Sequence, residues 1–383
     1  MQIYLDHNAS TPVEARVAEA MLQCISGLPG NPSSTHAHGR AMRALVERAR
    51  QQVADLVGVQ PSQVYFTSGG TEANNLALHT VTRSTAAGSR VAISAVEHPS
   101  VLEPAAALQS RGWQIDKLAV DTMGRVRGRT LAAQLRHDTA LVSVMSANNE
   151  TGVVQDIAAL AKQVRAAGSV FHTDAVQAAG KIPLNFAASG AHLLSLSAHK
   201  IYGPMGVGAL IVDKSLELMP MLGGGGQEKG VRAGTENVPG IVGFGVAAEL
   251  ALDGLAQRNL SQHKLRKRLE TGLTRYAEVT VFAQQAERLP NTVQLAVAGM
   301  DGETLLMQLD RAGIAVSSGS ACSSGARDPS HVLLAMGVDP QLARGAIRVS
   351  LGRDSTEQDI DSLLAALDAQ IHWMHKSGQV AGW

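Results

Sequence analysis

Five short motifs in this 383-residue chain carry side chains suited to anion binding, acid–base work or covalent chemistry. Gly69-Gly70-Thr71-Glu72 is a glycine turn that opens a helix, where backbone N–H groups and the positive dipole end favour phosphate. His98 offers an imidazole, Asn149 in Asn148-Asn149-Glu150 an amide, and Asp174 a carboxylate with Gln177 three residues on. Lys200, in Ser197-Ala198-His199-Lys200, offers an amine. Taken singly, each has an ordinary explanation: a capped helix, a polar turn, a solvated lysine. Position argues otherwise, because every one of them follows a β-rich run. Turns alone would not need a phosphate cradle, an imidazole, an amide, a carboxylate and an amine along one sheet edge. The set meets the needs of pyridoxal 5'-phosphate: a lysine for covalent attachment, an acid for the pyridine nitrogen and a cradle for phosphate. Spacing alone therefore leads to a cofactor-dependent lyase or transferase.

The elements that must position these residues are strands over 64–67, 91–94, 141–145, 170–173, 192–196 and 207–212, with helical stretches such as 104–111 and 157–167 between them. Repeated β-α alternation predicts a largely parallel sheet with helices on both faces and a ligand site at the strands' carboxyl ends. Beyond about residue 245 the texture changes to a helical run over 244–276 and strands near 292–297 and 346–351. In the last strand Ile347, Val349 and Leu351 form an apolar side, while Ala346, Arg348 and Ser350 face the other way. The closing helix is expected to start at Ser355 with Gln358 completing a capping box, and to bury Ile360, Leu363, Leu364, Leu367 and Ile371. Residues 13–250 are read as a large cofactor-binding domain, and 1–12 with 251–383 as a small α/β domain. The run Gly223-Gly224-Gly225-Gly226 suits a linker or a mobile site loop equally well.

Lys+Arg and Asp+Glu both number 33, so no bulk charge collects nucleic acid or anionic membrane, and 3% aromatic residues give few stacking platforms. Two cysteines exclude a disulfide scaffold and a Cys₄ zinc site, and nothing completes a metal site around His36 and His38. The opening residues carry no basic stretch followed by an apolar one, and no apolar run reaches the ~18 residues of a membrane span. A cytoplasmic protein is expected.

Longer segments then become recognisable. Tyr4-Leu5-Asp6-His7-Asn8-Ala9-Ser10-Thr11-Pro12, Asn31-Pro32-Ser33-Ser34, Ser68 to Asn74 and Asn148 to Gly152 resemble the cysteine desulfurases, as do His172 to Gln177, Ser197 to Lys200, Arg232 to Glu236 and Ser317 to Cys322. The resemblance, to the NifS/IscS-like branch of the class V aminotransferases, runs in order from residue 3 to about 367. It implies the type I fold of pyridoxal-phosphate enzymes, with a mostly parallel seven-stranded sheet and a smaller C-terminal α/β domain. It also implies that Lys200 binds the cofactor and that Asp174 pairs with its pyridine nitrogen. Gln177 would bond the ring hydroxyl, while His98 would stack over the ring and move protons. Gly70, Thr71, Ser197 and His199 would hold the phosphate, with Thr235 reaching it from the other subunit of a homodimer. Asn149 would face substrate and cofactor, and Arg348 would grip the substrate carboxylate, which suits a guanidinium fork.

Cys322 is the decisive residue in that resemblance. It would attack the sulfur of L-cysteine, leaving alanine and a persulfide for an iron–sulfur scaffold or another acceptor. Its neighbours, Ser317 to Gly325, are small throughout and cannot anchor a core, which predicts a mobile loop. Cys24, on a helix over 13–25, reads as a packing residue. Residues 370–383 lack the longer tail that docks the scaffold in typical IscS members, so the acceptor is left open. A selenocysteine lyase or class V aminotransferase would share Lys200 and Asp174, but transferases have no use for Cys322. A thiol hydrolase would leave Lys200 and the cradle unexplained, and a non-catalytic relic should have lost an essential residue.

Overall fold

Near-continuous apolar runs such as Leu193-Leu194-Ser195-Leu196 and Ala209-Leu210-Ile211-Val212 can be satisfied only where both faces of a strand are covered. The computed structural model, which describes residues 2–27, 29–86, 88–318 and 328–380, places them so. After a short β1 (Ile3–Tyr4) come β2 (Val64–Thr67), β3 (Arg90–Ser94), β4 (Gln114–Leu118), β5 (Thr139–Ser143), β6 (Val170–Asp174), β7 (Leu193–Ser197) and β8 (Gly208–Val212). These last seven form one sheet in the order β2-β8-β7-β6-β5-β3-β4. β8 is antiparallel to both neighbours and the other pairs are parallel, giving the mostly parallel seven-stranded sheet expected. Alternate residues of β3 enter different cores: Ala92 joins Val46, Phe171 and Phe244, whereas Val91 and Ile93 join Leu76 and Trp113. Both faces are therefore apolar and covered.

A second sheet holds β9 (Val279–Val281), β10 (Thr292–Val297), β12 (Ser317–Ser318) and β13 (Ala346–Ser350) in the order β12-β13-β10-β9, all antiparallel, while β11 (Ile314–Ala315) pairs in parallel with β1. Its core gathers Leu5, Leu295 and Ile347 with the stripe Ile360, Leu363, Leu364, Leu367 and Ile371. The first residues of the chain thus return to its last third.

Several boundaries differ from the sequence reading for physical reasons. β5 starts at Thr139 and β7 at Leu193, so the expected 141–145 and 192–196 are offset by two residues and one. The edge strand β4 went unseen because Gln114, Asp116 and Lys117 interrupt its apolar signal. The helix expected over 104–111 spans Pro99–Gln109, with His98 as its cap and Pro99 at the first position. The run over 244–276 is two helices, Val238–Asp253 and Leu255–Leu273, bent by 70° where Gly254 intervenes. The closing helix, Glu357–Val380, is capped by Thr356 and Asp359, which exchange backbone and side-chain hydrogen bonds, rather than by Ser355 and Gln358. Both faces of β13 are buried, Arg348 included at 3% exposure, because the strand lies inside its sheet. Cys24 is half-buried on the helix Ala15–Ser26 and packs against the main core.

Candidate active site

β2, β3, β5, β6 and β7 point the same way, so the segments after them meet at one edge. A cavity of about 390 Å³ opens there, lined among others by Gly70, Thr71, His98, Asn149, Asp174, Gln177, Ser197, His199, Lys200 and Arg348. That volume lies within the range of small-molecule sites. Gly70 begins the helix Gly70–Ser84, whose cap residue Gly69 supplies no side-chain bond. A Cβ on Gly70 would meet Val176 Cγ2 at 2.8 Å, so only glycine lets this helix end approach the cavity.

Lys200 ends the single helical turn Ala198–Lys200 after β7, and its Nζ donates to the carbonyls of Asn8 at 2.6 Å and Ala9 at 2.7 Å. Those carbonyls arrive with the N-terminal segment, tied down by β1 and by a parallel bridge between Asp6 and Ser350. Asp174 ends β6 and is 5% exposed. Its Oδ1 accepts the Val176 N–H at 2.9 Å and its Oδ2 the Asn74 amide at 2.7 Å. Gln177 donates from Nε2 to the Asn8 carbonyl at 2.9 Å.

The same Asn74 amide donates to Ser100 Oγ at 2.8 Å, and Ser100 Oγ lies 2.8 Å from His98 Nδ1. Because the Ser100 backbone N–H also donates to that Nδ1, at 3.1 Å, Nδ1 is an acceptor and the proton of the neutral ring is on Nε2. Burial lowers the His98 pKa, which keeps the ring neutral. The adjacent Glu97 is fully buried: Oε1 accepts the Met145 N–H at 2.6 Å, Oε2 has no partner among the described residues, and desolvation raises its pKa well above the usual range. Below the site His172 bridges Ser143 and Ser195, and burial depresses its pKa to about 4. His199 is likewise lowered to about 4, by burial and then by the charges of Lys200 and Lys181.

On the opposite wall Arg348 projects from β13. Its Nη2 donates to Asp6 Oδ1 at 2.7 Å and its Nη1 to the Asn149 carbonyl at 3.1 Å. Its Nε is buried with no partner among the described residues. A clamped guanidinium with donors to spare is equipped to grip a carboxylate.

The structure thus gathers ten of the expected residues. Thr235 is exposed, away from the cavity, near the ion pair of Arg232 with Glu72 at 3.0 Å. Cys322 and its expected mobile loop lie outside the described residues. Sequence reasoning missed Asn8, Asn74, Ser100 and Lys181. Asn74 falls one turn after Gly70, a spacing that could have shown it, and Lys181 is a lone cation in the small and apolar run from Ala178 to Pro183.

The chain is similar to known proteins along nearly its whole length. The family model for aminotransferase class-V matches residues 3–363. A cysteine desulfurase of Nostoc sp. is 44% identical over 386 aligned positions, covering 100% of this chain and 96% of that protein. Among solved structures, a NifS-like protein from Rickettsia africae aligns with a TM-score of 0.87 at 37% identity, covering 96% of this chain and 99% of its own. SspA, solved in complex with cysteine, aligns with a TM-score of 0.81 at 31% identity over 93% of this chain and 100% of its own.

Proposed function

Because the chain belongs to the aminotransferase class-V family and matches a cysteine desulfurase along its whole length, we propose that it moves the sulfur of L-cysteine onto Cys322 and releases L-alanine. It is a pyridoxal-phosphate-dependent cysteine desulfurase. The cavity's own chemistry fits that cofactor. It offers a fixed amine at Lys200, a carboxylate at Asp174 held by two donors, an amide at Gln177 and a helix N-terminus that only Gly70 can bring close.

Lys200 would bond the cofactor covalently, Asp174 would face its ring nitrogen and Gln177 its ring hydroxyl. His98 would cover the ring, and Gly70, Thr71, Ser197 and His199 would hold the phosphate, joined by the partner subunit's Thr235 in a homodimer. When bound, pyridoxal phosphate supplies an electron sink for the charge left on the substrate carbon. Arg348 holds the substrate carboxylate and Asn149 orients the substrate beside it. Lys200, once released, takes the α-proton. His98 keeps the proton it can deliver on Nε2, because Ser100 occupies Nδ1. The Cys322 thiolate then bonds to the substrate's sulfur as the Cβ–S bond breaks. That electron pair stays on the β-carbon, which takes a proton, the α-carbon regains one from Lys200 to complete alanine, and Cys322 keeps the sulfur as a persulfide.

The sulfur would pass to an acceptor protein such as an iron–sulfur scaffold, in the cytoplasm, where two cysteines in 383 residues suit a reducing compartment. One observation carries the reading: Lys200, Asp174 and Arg348, from three separate elements, line one cavity. The test is alanine formation from L-cysteine with a thiol reductant, comparing native protein with Cys322→Ser. Alanine from the native enzyme alone supports the reading, whereas equal alanine from both removes Cys322 from the chemistry.

A further inference from the structure

Beneath Gln177 lies a second lysine for which the mechanism above has no use. Lys181 is 6% exposed, and its Nζ donates to Gln177 Oε1 at 2.6 Å and to Asn8 Oδ1 at 2.8 Å. Neither partner is a carboxylate. The charged and titratable groups that act on it or feel it are Lys200, Arg348, His7 and His199, none of them an acid. Burial, then the charges of Lys200 and Arg348, push its pKa well below that of a solvated lysine. A buried amine with no carboxylate beside it is a costly way to fill space, and an apolar side chain would do that better.

Its position is fixed from outside. The helix Leu255–Leu273 clamps the turn that carries it, Arg258 donating to the Gly180 carbonyl at 2.9 Å and Asn259 to the Lys181 carbonyl at 3.0 Å. Asn8 is pinned as firmly, with Asn291 donating to its Oδ1 at 3.0 Å and its own Nδ2 donating to Thr292 at 2.8 Å. The Gln177 amide is therefore gripped at both ends: Oε1 faces Lys181, and one Nε2 hydrogen goes to the Asn8 carbonyl. What remains for the cavity is the second Nε2 hydrogen, a donor.

We propose that Lys181 is a positioning residue that, by holding Oε1 of Gln177, makes that side chain present an N–H rather than a carbonyl to the bound cofactor's ring oxygen. The inference rests on the cofactor reading above. A donor on the ring oxygen makes the neighbouring lysine-bound nitrogen less basic. It thereby lowers the pH at which that nitrogen loses its proton, a change visible in the cofactor's absorbance.

The experiment is a pH titration of that visible absorbance in the holoenzyme, for native protein, Lys181→Met, Gln177→Leu and the double variant. Lys181→Met should raise the apparent pKa by about 0.5–1 unit, and the double variant should titrate like Gln177→Leu alone. A Lys181→Met curve indistinguishable from native, or shifts that add in the double variant, would overturn the proposal, since Lys181 would then act without Gln177. Should Lys181→Met fail to fold, Lys181→Gln keeps an N–H for Gln177 and should titrate like native. If it titrates like Gln177→Leu, the proposal fails. Native protein that acquires no visible absorbance with pyridoxal phosphate sinks the cofactor reading instead, a separate result.

Discussion

Replacing Arg348 by lysine isolates the grip on the substrate's carboxylate. Arginine brings five N–H donors in a fixed plane. Asp6 and the Asn149 carbonyl take one each, leaving three, of which the buried Nε has no partner among the described residues. Lysine brings three donors, and the same two acceptors would leave one. A substrate carboxylate that meets two donors in the native site would thus meet one in Arg348→Lys. A hydrogen bond to a charged group is worth about 1.5–3 kcal/mol, which converts to about 10- to 150-fold in kcat/KM. The contact exists before and during reaction, so the loss should fall mainly on KM. Alanine production across a range of L-cysteine concentrations reads both parameters. Inhibition by L-alanine should weaken by the same factor, while inhibition by ethylamine, which has no carboxylate, should not change. A variant with native KM and unchanged discrimination between these inhibitors would show that Arg348 holds Asp6 and Asn149 rather than substrate.

Three other changes have definite expected outcomes. Asn74→Ala removes the shared donor to Asp174 and Ser100, so the pH profile of kcat/KM should shift with a loss of about tenfold; an unmoved profile would uncouple Asn74 from His98 and Asp174. Glu228→Gln takes from Arg50 its buried partner, paired at 2.7 Å with both side chains nearly inaccessible, and leaves that cation only the exposed Glu47 at 3.2 Å. Urea unfolding should then report a loss of about 3–5 kcal/mol at an unchanged m-value. His172, fully buried with a pKa of about 4 against a usual 6.5, stays neutral in the fold but takes up a proton when unfolded. Its contribution is complete above pH 6.5 and is lost as pH falls toward 4, at up to about 1.4 kcal/mol per unit. His172→Asn should flatten urea-derived stability between pH 6.5 and 4.5 by that slope, and an identical slope in both proteins would remove His172 as its source.

Strand ends made the first half of the site legible. Apolar runs fix where β2, β3, β5, β6 and β7 lie to within two residues, and parallel topology then dictates that Gly70, His98, Asn149, Asp174 and Lys200 converge. Arg348 was legible for another reason, since a guanidinium on the side of a strand opposite its apolar residues invites a ligand. What stayed hidden depends on packing between distant segments. β4 is an edge strand whose exposed positions carry no period. The break at Gly254 is a tertiary choice, because an isolated glycine is tolerated in helices.

Asn8 shows most clearly why the rest was invisible. Its neighbours in sequence say only that it lies in a polar segment, yet seven of its hydrogen bonds reach residues between 141 and 342 positions away. No local pattern could reveal a residue whose function is to be a meeting point. Its carbonyl receives both Lys200 and Gln177, its Oδ1 receives Lys181, and its Nδ2 reaches toward the Asn149 carbonyl that also receives Arg348. The amine, the amide and the guanidinium are therefore set against one another through a single short side chain and its own peptide. Such a hub has to come from a segment free to cross the whole molecule, and the N-terminal strand, drawn in by β11 and β13, is that segment.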